Sequence, residues 1–164
     1  MIYKNKIQVR SNDKIVTFHN VTAQVKDAIK KSGIKNGIVV VYSHHTTCSV
    51  ITQECAFDMS MTGLETLQQD LIDVFEKIVP TCSREGIYLH PGVKALKFAE
   101  EHGEDARGCH NTDAHLISSI IGRSLTAVIE DGTPDLGEFG FIYFIDWDKT
   151  RARERTVQIM ILGE

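Results

Sequence analysis

No stretch of this chain reaches the length of a membrane-spanning helix, about 18 consecutive apolar residues. Residues 1–6, Met-Ile-Tyr-Lys-Asn-Lys, lack the apolar centre of a secretory signal. Basic charge is also scarce: 18 Lys and Arg stand against 22 Asp and Glu, a formal net charge of -4. Neutralising nucleic-acid phosphates requires clustered Lys and Arg, so nucleic acid is not an expected partner, and neither is a membrane. The cysteines, Cys48, Cys55, Cys82 and Cys109, contain no Cys-x-x-Cys pair. A chain of this size holds together through its core without disulfides, so they are read as reduced thiols in a soluble, cytoplasmic protein. His-Glu-x-x-His, Walker, Gly-x-Gly-x-x-Gly and Gly-x-Ser-x-Gly patterns are absent, which removes the usual support for familiar hydrolase and nucleotide-loop classes. There is no internal repeat, low-complexity tract or linker.

What is present suits one compact domain over residues 1–164, 42% hydrophobic, able to bury roughly two-thirds of the surface of its unfolded form. Residues 2–9 and 15–18 flank the turn-forming Ser11-Asn12-Asp13 and predict an opening hairpin. Thr22 is placed to cap a helix with Val25, Ala28 and Ile29 on one face, closed by Ser32-Gly33. The β-branched run Ile38-Val39-Val40-Val41-Tyr42 reads as a strand buried on both faces. Leu64, Leu67, Leu71, Val74, Phe75 and Ile78 recur at helical spacing and predict an amphipathic helix over 59–78, with Met59, Met61 and Phe75 in the core.

Residues 80–108 are the least regular, with a short helix predicted over 93–101. A further helix starts near Asn111 and stops at Gly122, and three strands follow over 125–130, 141–146 and 155–162. Strands at both ends with two or three helices between them predict an α+β domain with a mainly antiparallel sheet.

Three histidines stand in polar, turn-like company: His45 in His-His-Thr-Thr, His90 before Pro91-Gly92, and His115 in His-Asn-Thr-Asp-Ala-His-Leu. Imidazole is the commonest metal ligand and the side chain that titrates nearest neutral pH. His45 therefore reads either as a metal ligand or base, with Thr46 and Thr47 offering hydroxyls and N–H groups to an anionic substrate, or as a strand-ending residue bonded to a carbonyl. His44 is the weaker of the adjacent pair, because side chains alternate along a strand. Glu54 reads as a general base or partner fixing a histidine tautomer, or as a solvated edge carboxylate. Asn111 is placed to cap the helix that carries Asp113 and His115 in its first turns, where N–H groups attract anions.

His45, His90 and His115 together would suit a divalent ion such as Zn²⁺ or Mg²⁺ with an open position for substrate. Arg151, Arg153 and Arg155 alternate, so on a strand they share a face that grips phosphate or forms a salt-bridged edge.

In order, Tyr42-Ser43-His44-His45-Thr46-Thr47, Glu54, Tyr88 with His90, Asn111-Thr112-Asp113-Ala114-His115-Leu116, Gly122-Arg123-Ser124, Leu136-Gly137, Asp146 and the Arg151/Arg153 pair resemble the YjbQ family. That resemblance implies an α+β fold, a homotrimer with a histidine-lined pocket, and thiamine-phosphate synthase activity in which thiazole phosphate displaces pyrophosphate from an aminopyrimidine diphosphate. Two departures bear on substrate preference. Glu138-Phe139-Gly140 stands where the family usually has Thr-Trp-Gln, and the loop between Pro91 and His110 is longer and carries Cys109.

The leading functional expectation is thus an enzyme acting on a small phosphorylated substrate. In it His45, Glu54, Asp113 and His115 are candidate catalytic groups, and Thr46, Thr47, Asn111, Arg151 and Arg153 are candidate substrate contacts. The competing expectation is a non-catalytic trimeric module that binds a metal or anion.

Overall fold

A computed structural model describes residues 1–104 and 110–164. Cys109, one of the expected thiols, lies outside the described residues. The described chain is α+β, with all named strand pairs antiparallel. A five-stranded sheet runs in the order β1 (Ile2–Arg10), β8 (Glu154–Gly163), β3 (Gly37–Tyr42), β5 (Ser124–Glu130), β6 (Thr133–Pro134). A three-stranded sheet runs β2 (Thr17–Asn20), β7 (Gly140–Asp146), β4 (Cys48–Glu54).

The helices are α1 (Thr22–Ser32), α2 (Thr66–Ile78), α3 (Val93–Glu101) and α4 (Thr112–Ile121). Four helices among the described residues exceed the two or three expected. No helix among the described residues is long and apolar enough to cross a membrane.

The opening hairpin does not form. β1 pairs with β8 and β2 with β7, so the turn at Ser11-Asn12-Asp13 carries the chain from one sheet to the other. Both are half-buried strands by periodicity, but periodicity says nothing about the partner.

The two sheets pack face to face around Val39, Val41, Val50, Ile142, Phe144, Val157, Ile159 and Ile161, with Val25, Ala28 and Ile29 of α1 joining this core. A second core lies on the other face of the small sheet. There Tyr143, Ile145 and Trp147 pack against Phe75 of α2 and Ala114 and Ile117 of α4. The strand buried on both faces is therefore β7, not β3, whose Ile38 is 39% exposed on the uncovered side of the large sheet.

Local chemistry sets several element ends differently from expectation. α2 begins at Thr66 because the Glu65 and Gln68 side chains form a reciprocal capping box with the backbone. Met59 and Met61 consequently lie before the helix and are exposed rather than in the core. Thr22 does not cap α1: its hydroxyl accepts the Ile142 N–H at 2.8 Å and ties the helix to β7. Gly33, at φ 70°, closes α1 as expected.

Candidate functional site

The ends of five elements meet at one end of the sandwich. β3 runs out into Ser43-His44-His45-Thr46-Thr47, β4 starts at Cys48, β7 ends at Asp146, β8 starts at Glu154, and α4 presents its first turns. They enclose a cavity of about 580 Å³ lined by His44, His45, Thr46, Thr47, His90, Asn111, His115, Asp148, Arg151, Arg153 and Arg155, with Glu104 at its rim. Pro91 and, from α3, Ala95, Phe98 and Ala99 form an apolar wall.

Below the cavity lies a buried ionic network that fastens the two sheets together. Arg155, second residue of β8, donates through Nε to Asp146 Oδ2 at 2.6 Å and through Nη2 to Asp146 Oδ1 at 3.2 Å. Asp146 closes β7, so this bidentate pair joins the large sheet to the small one. The Thr47 hydroxyl donates to Asp146 Oδ1 at 3.3 Å and accepts from Arg155 Nη2 at 3.2 Å. Burial opposes the Arg155 charge, but the bonds and charge of Asp146 outweigh it and hold the guanidinium above its ordinary pKa. Asp148, also buried, accepts from Asn111 Nδ2 at 2.9 Å and from the Thr150 hydroxyl at 2.6 Å. The Asn111 side chain therefore serves Asp148 and does not cap α4.

Two histidines are tuned toward the neutral form. Burial, followed by the positive charges of His44 and Arg155, brings His45 down to about 4. Its Nε2 accepts the Thr156 N–H at 2.9 Å, and its ring lies against that of His44, tilted by 38° with 4.1 Å between centroids. His115 is also lowered, chiefly by burial, against the raising influence of the Thr46 backbone. His90 and His115 stand edge to face, 5.9 Å between ring centroids.

The cavity thus gathers the three expected histidines. Among the described residues, no group of three His, Cys, Asp or Glu side chains is placed to hold a metal ion. His45 Nε2 in particular is already committed to a backbone N–H.

Arg151 and Arg153 also reach the cavity, though by a different route from the one expected. β8 begins only at Glu154, so both precede the strand, and Arg155 alone lies on its buried face. Glu54 does not join them. It ends β4 in an exposed position, six residues and about 20 Å of extended chain beyond Cys48. Asp113 is likewise turned away: it is buried beside Cys82 and Lys149 in a separate cavity of about 110 Å³, its pKa raised chiefly by burial.

The Phe139 carbonyl accepts the Cys55 N–H at 3.3 Å, at the Gly140 end of β7 and away from the Asp146 end that borders the cavity. Sequence reasoning missed Asp148 and Glu104. The Asp-x-Asp spacing of Asp146 and Asp148 at a strand end was the available signal for Asp148; Glu104 had none.

Chemically, the cavity offers arginine donors for an anion, uncharged imidazoles for hydrogen bonding or proton acceptance, and an apolar wall for a ring. A family model described as "UPF0047 protein YjbQ-like" matches residues 5–164. A UPF0047 protein of Methanocaldococcus jannaschii is 31% identical over 160 residues, covering 98% of this chain and 94% of that protein. The UPF0047 protein YugU of Bacillus subtilis is 24% identical over 160 residues, covering 98% and 99%. Among solved structures, a hypothetical protein of Aeropyrum pernix K1 superposes with a TM-score of 0.72 at 25% identity, covering 98% of each chain. A YbjQ-like protein of unknown function from Sulfolobus solfataricus P2 gives 0.71 at 24% identity, covering 100% and 99%. With the family model spanning nearly its whole length, this chain belongs to the YjbQ-like UPF0047 family.

Proposed function

We propose that the cavity binds a small phosphorylated substrate and that the protein is an enzyme of the thiamine-phosphate synthase type. The observation that carries this reading is the convergence of Arg151 and Arg153 on one point across a cavity that also holds His45 and His115. In the proposed reaction the thiazole nitrogen forms a bond to the exocyclic carbon of the aminopyrimidine as that carbon's bond to the diphosphate oxygen breaks. The electron pair leaves with pyrophosphate. Negative charge on the phosphate oxygens, in the bound substrate and on the departing pyrophosphate alike, is neutralised by fixed guanidinium groups. Arg151 and Arg153 take that role. Phe98 and Ala95 supply an apolar face for the heterocycles, and His115, uncharged near neutral pH, orients the reacting end by hydrogen bonding.

Steady-state formation of thiamine phosphate tests this. His115→Ala should lower kcat and Arg153→Ala should chiefly raise KM, each by a loss of about 1–3 kcal/mol. A wild-type protein that binds pyrophosphate without turnover would replace this reading with the anion-binding module.

A homotrimer and a cytoplasmic location belong to the same proposal. The outer face of the large sheet leaves Ile2, Ile38, Val128 and Met160 exposed, an apolar surface suited to a second copy of the chain. Light scattering should return the mass of three 18.4 kDa chains, and a value of 18.4 kDa would refute it. Cys48, Cys55 and Cys82 are free thiols, which suits a reducing compartment.

A further inference from the structure

The anion locus already holds a carboxylate from the protein itself. Arg151 Nη2 donates to Glu104 Oε2 at 2.6 Å, and Arg153 Nη2 reaches the same oxygen at 3.5 Å. Two guanidinium groups thus converge on one oxygen, and a side chain supplies it.

That placement is built by the end of α3. The Gly103 N–H donates to the Glu100 carbonyl at 3.1 Å, and the Glu104 N–H donates to the Ala99 carbonyl at 2.8 Å. Gly103 adopts φ 65°, the left-handed conformation this pair of bonds requires. The closure fixes the backbone of Glu104 just where its side chain spans to the arginines. The contact is not part of a core, since the Glu104 side chain is 39% exposed.

Charge balance gives the contact a consequence. Arg155 is matched by Asp146 in a buried bidentate pair, and Arg151 and Arg153 face Glu104 at the cavity rim. An anion can use Arg151 and Arg153 fully only by displacing Glu104. A monocarboxylate would exchange one carboxylate for another that is tethered, and therefore present at high effective concentration. A phosphate dianion or a diphosphate brings more charge and more acceptor oxygens to the same two forks.

We propose that Glu104 is a specificity-determining residue: a resident competitor that reserves the Arg151/Arg153 locus for phosphate-class ligands carrying at least two negative charges. This rests on the reading of the cavity as a phosphate site. It adds that the site is self-occupied until such a ligand arrives, and that selection against singly charged anions resides in one side chain.

The test is calorimetric titration of the full chain with inorganic phosphate, pyrophosphate and acetate at pH 7.5 and low salt, using wild type, Glu104→Gln and Arg153→Ala, with melting curves confirming that each variant is folded. Wild type should bind pyrophosphate and phosphate but not acetate. Glu104→Gln should bind both phosphate ligands about tenfold more tightly and should acquire measurable acetate binding, because a like charge has left a partly screened site. Arg153→Ala should lose affinity for all three. If Glu104→Gln binds pyrophosphate no more tightly than wild type while Arg153→Ala weakens it, the role of Glu104 is overturned and the phosphate site stands. If neither wild type nor Glu104→Gln binds phosphate or pyrophosphate, both are overturned.

Discussion

Removing Arg155 tests whether the two sheets are held together at the site by a buried charge pair. Its side chain is 6% exposed and that of Asp146 is 0% exposed, with donor to acceptor distances of 2.6 and 3.2 Å. Arg155→Met keeps an unbranched apolar stem but leaves the Asp146 carboxylate with only the Thr47 hydroxyl and the Asp148 N–H as donors among these partners. Stranding one member of a buried pair costs about 3–5 kcal/mol, a large share of a typical domain's total stability. For a chain of this length each kcal/mol moves the melting temperature by about 2–4 °C, so Arg155→Met should melt about 6–20 °C below wild type.

Asp146→Asn should also destabilise, by leaving the guanidinium charge without its main partner. The double variant, Asp146→Asn with Arg155→Met, removes both charges while Asn keeps an oxygen for Thr47 and for the Asp148 N–H. Its loss should be clearly smaller than the two single losses together, as expected for directly coupled groups. Calorimetric melting of the four proteins provides the comparison. A single variant within about 2 °C of wild type, or a double variant whose loss equals both singles together, would show that Arg155 and Asp146 do not act as a pair.

Much of the fold is readable from the sequence because its signals are local. Val25, Ala28 and Ile29 mark the buried face of α1, Gly33 marks its end, and the β-branched run from Ile38 marks β3. Pairing is not local. β1 finds β8 across almost the entire chain, with Ile2 opposite Leu162, and no pattern within either strand encodes that choice.

The same division explains the site. His45, Thr46 and Thr47 follow β3 directly, and His115 occupies an α4 first turn, so their positions at element ends were visible. Asp113 misled because it lies only two residues before His115. On a helix that spacing separates side chains by about 200°, which sends Asp113 to the Cys82 side and His115 to the cavity. Glu54 misled because a strand carries each residue about 3.4 Å further from its start. Glu104 was invisible because its relevance depends on where the end of α3 falls relative to residues nearly fifty positions later.

Gly37→Ala should destabilise the large sheet strongly, since an added Cβ would lie 2.0 Å from the Leu162 carbonyl oxygen. A loss of about 2 kcal/mol or more in urea unfolding is expected, and a loss below about 0.5 kcal/mol would show that β3 and β8 separate easily there. The acid sensitivity of the fold should trace in part to His45. In the folded protein burial, with the charges of His44 and Arg155, holds His45 near 4, whereas an unfolded histidine titrates near 6.5.

Above pH 6.5 neither state binds the proton, so the full stability is present. As pH falls from 6.5 towards 4, the unfolded chain takes up a proton that the folded one refuses, and stability is lost across that window. His45→Gln removes the titrating ring while leaving an amide oxygen for the Thr156 N–H that Nε2 now accepts. Urea unfolding at pH 7.5, 6, 5 and 4.5 should therefore show a shallower decline for His45→Gln than for wild type, whatever the offset between them at pH 7.5. Parallel curves would mean that His45 is protonated as readily in the folded cavity as in the unfolded chain, and its assignment as a neutral imidazole in the site would fall with them.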